Sequence, residues 1–362
     1  MCGADFYPSR KGKGVNMIIG IPKERRPNEY RVGLSPAGVK MLTERGHTCF
    51  VEDQAGRGAG FRNIEYEKAG ASIAFSAEEV FGRADLLLKM ARPMHNEIEW
   101  LRPNSAVAAF LHLASAREEK LKVLREKNIY TIAYEEIQKE DGTHPVLRPL
   151  SQIGGTMVAQ TAARLLQNKW GGRGILLGMI PVVPPAEVVI LGAGVVGTYA
   201  ARAFLGLGAH VTVLDNDMDA LQRIAEYLCG VVTMVSTPYN ISRATAYADV
   251  AIGAILVSGE RSPILVTREM VRVMKPRSVI LDVSIDQGGC FETSRPTTHD
   301  NPVYVEEEVT HYCVPNLSGV VARTATHAFV NASIPYILEL ANRGIEDAVE
   351  NIPALKTATN RH

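Results

Sequence analysis

The residues best placed to do chemistry lie in the run GAGVVG, which sets Gly192, Gly194 and Gly197 directly after the apolar segment Glu187–Leu191. A helix-like stretch, Thr198 to Gly206, follows it. A turn of this kind suits a pyrophosphate: Gly192 permits the tight turn, Gly194 lets a phosphate approach the backbone, and Gly197 lets helix and strand lie close. Val195 and Val196 complete the loop, whose unpaired N–H groups and positive helix end favour phosphate oxygens. Alone the motif is weak, because such turns also occur without a ligand and methyltransferases carry a similar one. The next apolar run, HVTVLD, ends in Asp215 about 20 residues on, where a carboxylate can accept from both ribose hydroxyls. Asn216, Asp217, Met218 and Asp219 follow with no cation to neutralise a 2′-phosphate, so NAD is expected rather than NADP.

Three further side chains have the right chemistry at suggestive positions. Arg31, in NEYRVG, offers a guanidinium that can hold a carboxylate through two parallel bonds, although a lone arginine is more often a surface ion pair. His112, in FLHLA, carries an imidazole, the side chain that titrates nearest neutrality. A single histidine among apolar neighbours is more often a satisfied core residue. Asp286 follows an apolar run, Ser278 to Ile285, which places it at the carboxyl end of a strand, where open α/β sheets bind ligands. It could equally cap the turn before Gly288 and Gly289.

The elements that must position these groups read as an alternation. From Met17 the pattern is strand to Gly20, helix from Pro36 to Gly46 with Ser35 as its cap, and strand from Thr48 to Glu52. Strand-like runs continue at Asp85 to Met90, Ala106 to Phe110 and Thr131 to Tyr134. After the turn-rich stretch Gln138 to Pro149, an amphipathic segment from Ser151 to Asn168 leads into six more strand-like runs. Six strands argue for a dinucleotide-binding sheet and against a methyltransferase. The expected fold class is therefore α/β, with two doubly wound, parallel-sheet, Rossmann-like domains separated by a cleft. Residues 1–16 read as a disordered extension, 17–149 with 323–362 as the substrate domain, and 150–322 as the NAD-binding domain. The last helix, about Thr324 to Arg343, is expected to return to the first domain.

Length and composition agree with this. The chain has 362 residues, long for one core, with 39 Lys and Arg against 39 Asp and Glu and 46% hydrophobic residues. Those values exclude disordered, collagenous and disulfide-scaffold classes. A neutral balance supplies no basic field, so no nucleic acid partner is expected. The five cysteines are scattered without CxxC pairing, which fits free thiols and no metal site. No uncharged apolar run reaches the roughly 18 residues of a bilayer span, so no membrane partner is expected. The first sixteen residues lack the apolar core of a signal peptide, and a cytoplasmic location follows as the expectation.

Several motifs together resemble one family. IPKERRPNEYRVGLSPAGVKML, FLHLA, GGRGILLG, GAGVVG and LDVSIDQGGCFETSRPTTHDNPVY are similar to the alanine dehydrogenase and pyridine nucleotide transhydrogenase family, over essentially Met17 to Leu355. The resemblance implies an enzyme for the reversible, NAD-dependent oxidative deamination of L-alanine to pyruvate and ammonia. It implies that Arg31 binds the substrate carboxylate, that His112 is the catalytic acid/base, and that Asp286 lies beside nicotinamide and substrate. Ser151, Ser236, Leu256, Val257 and Asn316 match family cofactor contacts. A small amino or keto acid is the implied partner, in a closed homo-oligomer of which a hexamer is one form.

One departure touches the chemistry. Where the family reads LLKVKEP, with a second lysine on the substrate carbonyl, this chain reads LLLKMARP and has Ala91. Strand alternation would put Lys89 on the same face one pleat back, about 7 Å away, and Arg92 on the opposite face. The alternatives to L-alanine are another small amino or keto acid, or an NAD-binding chain with little or no turnover.

Overall fold

A computed structural model describes residues 16–113, 118–255 and 261–362. Fifteen of the sixteen residues read as an extension, and Leu256 and Val257 among the cofactor contacts, lie outside the described residues. The chain divides into two compact units, one formed by the residues up to Pro149 with Val321–His362, the other by Leu150–Val320.

Six strands precede the midpoint: β1 (Ile18–Ile21), β2 (Thr48–Glu52), β3 (Ser72–Ala74), β4 (Leu86–Ala91), β5 (Ala106–Phe110) and β6 (Tyr130–Ala133). Seven follow the helix Arg148–Leu165: β7 (Glu187–Leu191), β8 (His210–Asp215), β9 (Val231–Val235), β10 (Val250–Gly253), β11 (Val279–Asp282), β12 (Val303–Glu306) and β13 (Val309–Tyr312). A last strand, β14 (Thr359–Arg361), ends the chain. The first unit's sheet runs β14-β6-β5-β4-β1-β2-β3 and the second's runs β12-β13-β11-β10-β7-β8-β9. All pairings are parallel except β14 on β6 and β12 on β13, two antiparallel edge pairs. In each sheet the order reverses beside the first strand, β1 or β7, which is the doubly wound arrangement that binds ligands at the carboxyl ends of its strands.

Continuous apolar runs make these strands because helices cover both faces. In β7, Val188 and Ile190 join one core cluster with Val211 and Val213, while Val189 and Leu191 join the opposite cluster with Leu214. The long helix Ala322–Arg343 belongs to the first unit. Its Thr326 hydroxyl lies 3.4 Å from Val32 N, and Phe329 packs edge-on against Tyr134. Strands β3, β12 and β14, not expected from the sequence, are short edges whose pattern is too brief to stand out. In GMIPVV at Gly178 to Val183, Val182 holds a left-handed φ of 72° that strains a β-branched residue. No helix among the described residues is long and apolar enough to cross a membrane.

Close approach, more than any cap, sets the first unit's ligand-side loop. A Cβ on Gly33 would stand 2.2 Å from the carbonyl oxygen of Leu88 and 2.9 Å from Lys89 N, so the loop after β1 rests on the backbone of β4. Gly33→Ala should therefore cost about 2–3 kcal/mol by overpacking. Gly82→Ala, in a helix where a new Cβ meets nothing within 4 Å, should be neutral or stabilising. Urea midpoints for the two variants check this, and equal midpoints would contradict a backbone contact at Gly33.

Candidate functional site

In the first unit the candidate residues follow β1, β4 and β5 at the carboxyl edge of the sheet. Arg31 is buried, and Glu29 grips it side-on: Nε donates to Oε1 at 2.7 Å and Nη2 to Oε2 at 2.5 Å. The same Oε1 accepts the Arg31 backbone N–H at 3.1 Å. Two parallel charge-assisted bonds fix the plane of a guanidinium, which is what bidentate recognition of a carboxylate requires.

His112 sits just past β5 with a left-handed φ of 47° and a side chain 61% exposed. It is not a core histidine. Glu135, just past β6, holds its backbone: Oε1 accepts His112 N at 2.5 Å and Oε2 accepts Leu111 N at 3.2 Å. The same carboxylate reaches within 3.8 Å of His112 Nδ1, so it sets the backbone and faces the ring.

At the end of β4 the pairing register with β5 shifts between Leu88 and Ala91. Lys89 does not extend toward position 91. It is buried, with Nζ 3.2 Å from both Glu24 and Glu97. Glu24 Oε1 also accepts Met90 N at 2.7 Å, and Glu97 Oε2 accepts Met94 N at 2.7 Å. Burial pushes the Glu24 carboxyl above its ordinary range, with the Lys89 ammonium opposing that shift. Lys89 is thus the centre of a buried triad bracing the strand end.

In the second unit, Gly192 has φ 112°, and a Cβ there would lie 2.4 Å from Ala254 O. At Gly197 a Cβ would lie 1.8 Å from Gly192 O. Both glycines are demanded by the fold itself. Gly194 is different: a Cβ there meets nothing within 4 Å, so the protein's own interior does not require it. It caps the helix Val195–Gly206 with no side-chain bond and is itself exposed, while Val195 and Val196 are half-buried and Val196 packs against the core. Asp215 ends β8, where Oδ2 accepts Ala193 N at 2.6 Å and Oδ1 accepts Asp217 N at 2.9 Å. A carboxylate has about four acceptor positions, so these two bonds orient it without exhausting it.

The other described candidates lie on several elements. Ser236 follows β9 and its backbone N donates to Asp215 O at 2.9 Å. Ser151 is half-buried on the helix Arg148–Leu165. Asn316 is exposed beyond β13 with φ 56°. Asp286 is exposed in the turn Val283–Gln287 after β11. The buried Asp282 holds that turn: it accepts from Ser284 N at 3.1 Å, Cys290 N at 2.9 Å and the Ser294 hydroxyl at 2.7 Å. Burial raises its pKa while these bonds oppose the rise. Among the described residues, no group of three or more His, Cys, Asp or Glu could hold a metal ion.

Glu24, Glu29, Glu97, Glu135 and Asp282 were not singled out by sequence reasoning. Only Glu29, two residues before Arg31 in the same motif, carried a local signal; the others act on partners distant in sequence or on backbone.

Two family models cover nearly the whole described chain. That for the alanine dehydrogenase/PNT N-terminal domain matches residues 20–154, and that for the C-terminal domain matches residues 158–362. Alanine dehydrogenase of Methanococcus maripaludis is 44% identical over 346 residues, 95% of this chain and 92% of that one. That of Mycobacterium tuberculosis is 43% identical over 347 residues, 96% and 93% of the two chains. Among solved structures, an L-alanine dehydrogenase superposes with a TM-score of 0.91 at 43% identity, covering 95% of each chain. A transhydrogenase from Sinorhizobium meliloti superposes with a TM-score of 0.82 at 28% identity, over 95% of this chain and 97% of the other. With both halves matched in order and at this identity, the chain belongs to the alanine dehydrogenase/PNT family.

Proposed function

We propose that this chain is an NAD-dependent amino acid dehydrogenase that converts L-alanine, NAD+ and water into pyruvate, ammonium, NADH and a proton. Beyond family membership, the observation that carries the reading is Gly194. It is the one glycine of the motif that no internal contact requires, and it stands at a helix start beside Asp215, as a site for a dinucleotide's phosphates and ribose would need. In this reading Leu150–Val320 is the cofactor unit and the remainder of the chain is the substrate unit. Gly192, Gly194, Val195, Val196 and Gly197 cradle the phosphates, Asp215 takes the ribose hydroxyls, and Ser151, Ser236, Leu256, Val257 and Asn316 line the rest. When bound, NAD+ supplies the hydride acceptor.

The chain's own residues do the remainder. Arg31, held flat by Glu29, binds the α-carboxylate. His112 passes protons to and from the water that adds to the imine carbon and the carbinolamine that results. Asp286, at the carboxyl end of β11 in the cofactor unit, is the carboxylate assigned to the nicotinamide side. A second reading, turnover of a different small amino acid, is favoured by one observation: position 91 is alanine, and the nearby Lys89 is held by Glu24 and Glu97.

Cofactor choice tests the first half. With Asp215 accepting from ribose and no cation after it, NADH should bind at least about tenfold more tightly than NADPH, a gap near 1.4 kcal/mol. Equal dissociation constants by fluorescence titration would remove Asp215 from the cofactor site.

Chemistry tests the second half. His112→Ala should lower kcat/KM by about two to four orders of magnitude while leaving the NADH dissociation constant nearly unchanged. Full activity in that variant would show that His112 takes no part in proton transfer, and NADH binding without turnover of any amino acid by the wild type would contradict the enzyme reading.

A further inference from the structure

At the carboxyl edge of the second unit, one buried carboxylate reaches beyond its own turn. Asp282, the last residue of β11, pairs in register with Gly253, the last residue of β10. A Cβ on Gly253 would stand 2.6 Å from Asp282 Oδ1 and 2.6 Å from Cys290 Sγ, so β10 has no room for a side chain where this carboxylate lies. Oδ1 accepts Ser284 N at 3.1 Å; Oδ2 accepts Cys290 N at 2.9 Å, Phe291 N at 3.4 Å and the Ser294 hydroxyl at 2.7 Å. Both oxygens therefore face main-chain donors.

The contacts continue across the sheet. Ser284, fixed through its backbone N, turns its hydroxyl to the end of β10 and accepts Ile255 N at 2.9 Å. The neighbouring Ala254 donates to Leu191 O at 2.8 Å, and its carbonyl closes on Gly192, where a Cβ would lie 2.4 Å from Ala254 O and 3.3 Å from Ile255 Cδ1. Gly192 N donates in turn to Leu214 O at 2.7 Å, next to the Asp215 that holds Ala193 N. One run of contacts thus leads from the turn carrying Asp286 to the glycine turn, through the ends of β11, β10, β7 and β8. Packed groups and hydrogen bonds in such an unbroken series are what can carry coupling between two sites.

We propose that Asp282 is a positioning residue for the reaction, joining the Asp286 turn and the Gly192–Gly197 turn into one rigid edge, so that a dinucleotide held at the glycines meets Asp286 in a fixed place. Buried beneath the turn, Asp282 acts through backbone and not on the reacting atoms. The assignment rests on the cofactor and deamination readings above and adds what keeps their parts in register. Because both oxygens accept from the main chain, Asp282→Asn turns an NH2 group toward a backbone N–H in either orientation of the amide.

That substitution tests the role against a matched control. Asp249 is also buried, accepts Glu187 N at 2.9 Å and pairs with Lys275 at 3.0 Å, but it lies at the amino end of β10 in the same unit. Asp282→Asn should raise the NADH dissociation constant at least about fivefold and lower kcat/KM for L-alanine at least about thirtyfold, whereas Asp249→Asn should change each by less than about twofold. Either quantity left within about twofold of wild type by Asp282→Asn, or the same losses in Asp249→Asn, would overturn the proposal. Amide hydrogen exchange of the wild type with and without ADP-ribose needs no variant. ADP-ribose lacks the nicotinamide, so slower exchange at Ile255 and across Val283–Gln287 is expected through the run of contacts from the glycine turn. Exchange there unchanged by saturating ADP-ribose would overturn the proposal. If the wild type forms NADH from no amino acid, the deamination reading falls, and the NADH dissociation constants and the exchange pattern still decide the role of Asp282.

Discussion

The first unit depends on the loop after β1 lying directly on the end of β4, with no room for a side chain at Gly33. That contact puts Glu24 within 2.7 Å of Met90 N and 3.2 Å of Lys89 Nζ, and it brings Arg26 and Arg31 to the strand end where Ala91 and Arg92 emerge. The buried Glu24–Lys89–Glu97 triad is a poor source of net stability, because desolvating three charges offsets their attraction. Its value is geometric. Loss of one member would leave uncompensated charge, so the loop and the strand end are confined to the arrangement that keeps all three paired.

The same device recurs at other strand ends. Glu135 accepts two consecutive backbone N–H groups beyond β5, Asp215 ties the glycine turn to the end of β8, and Asp282 gathers the backbone of Ser284 and Cys290 beyond β11. Each of these carboxylates satisfies backbone donors that irregular structure would otherwise leave open. Each also fixes a turn from which a candidate functional residue projects: His112, the Gly192–Gly197 loop, and Asp286. Rigid strand ends and exposed candidate side chains are therefore two aspects of one construction.

Much of the fold was legible in the sequence because parallel strands buried on both faces leave continuous apolar runs, as in EVVIL and HVTVLD. The glycine turn was legible because Gly192 and Gly197 are required by backbone contacts within a few residues of themselves or by the adjoining strand. Edge strands such as β14 escaped because three polar residues, TNR, pair antiparallel with β6 more than 200 positions away. The register shift in β4 left no mark in LLLKMA, and the capture of Lys89 by Glu24 and Glu97 could not be read from it. Glu24 and Lys89 are 65 positions apart, so their pairing emerged only with the fold.

The central claim is that the chemistry is deamination, with hydride and amine exchanged at the same carbon. It is tested most directly in the reductive direction, by following NADH absorbance with pyruvate, with and without ammonium. The account predicts that NADH is consumed only when oxo acid and ammonium are both present, with the corresponding amino acid accumulating in equal amount. NADH consumption by the oxo acid alone, yielding a hydroxy acid, would contradict it.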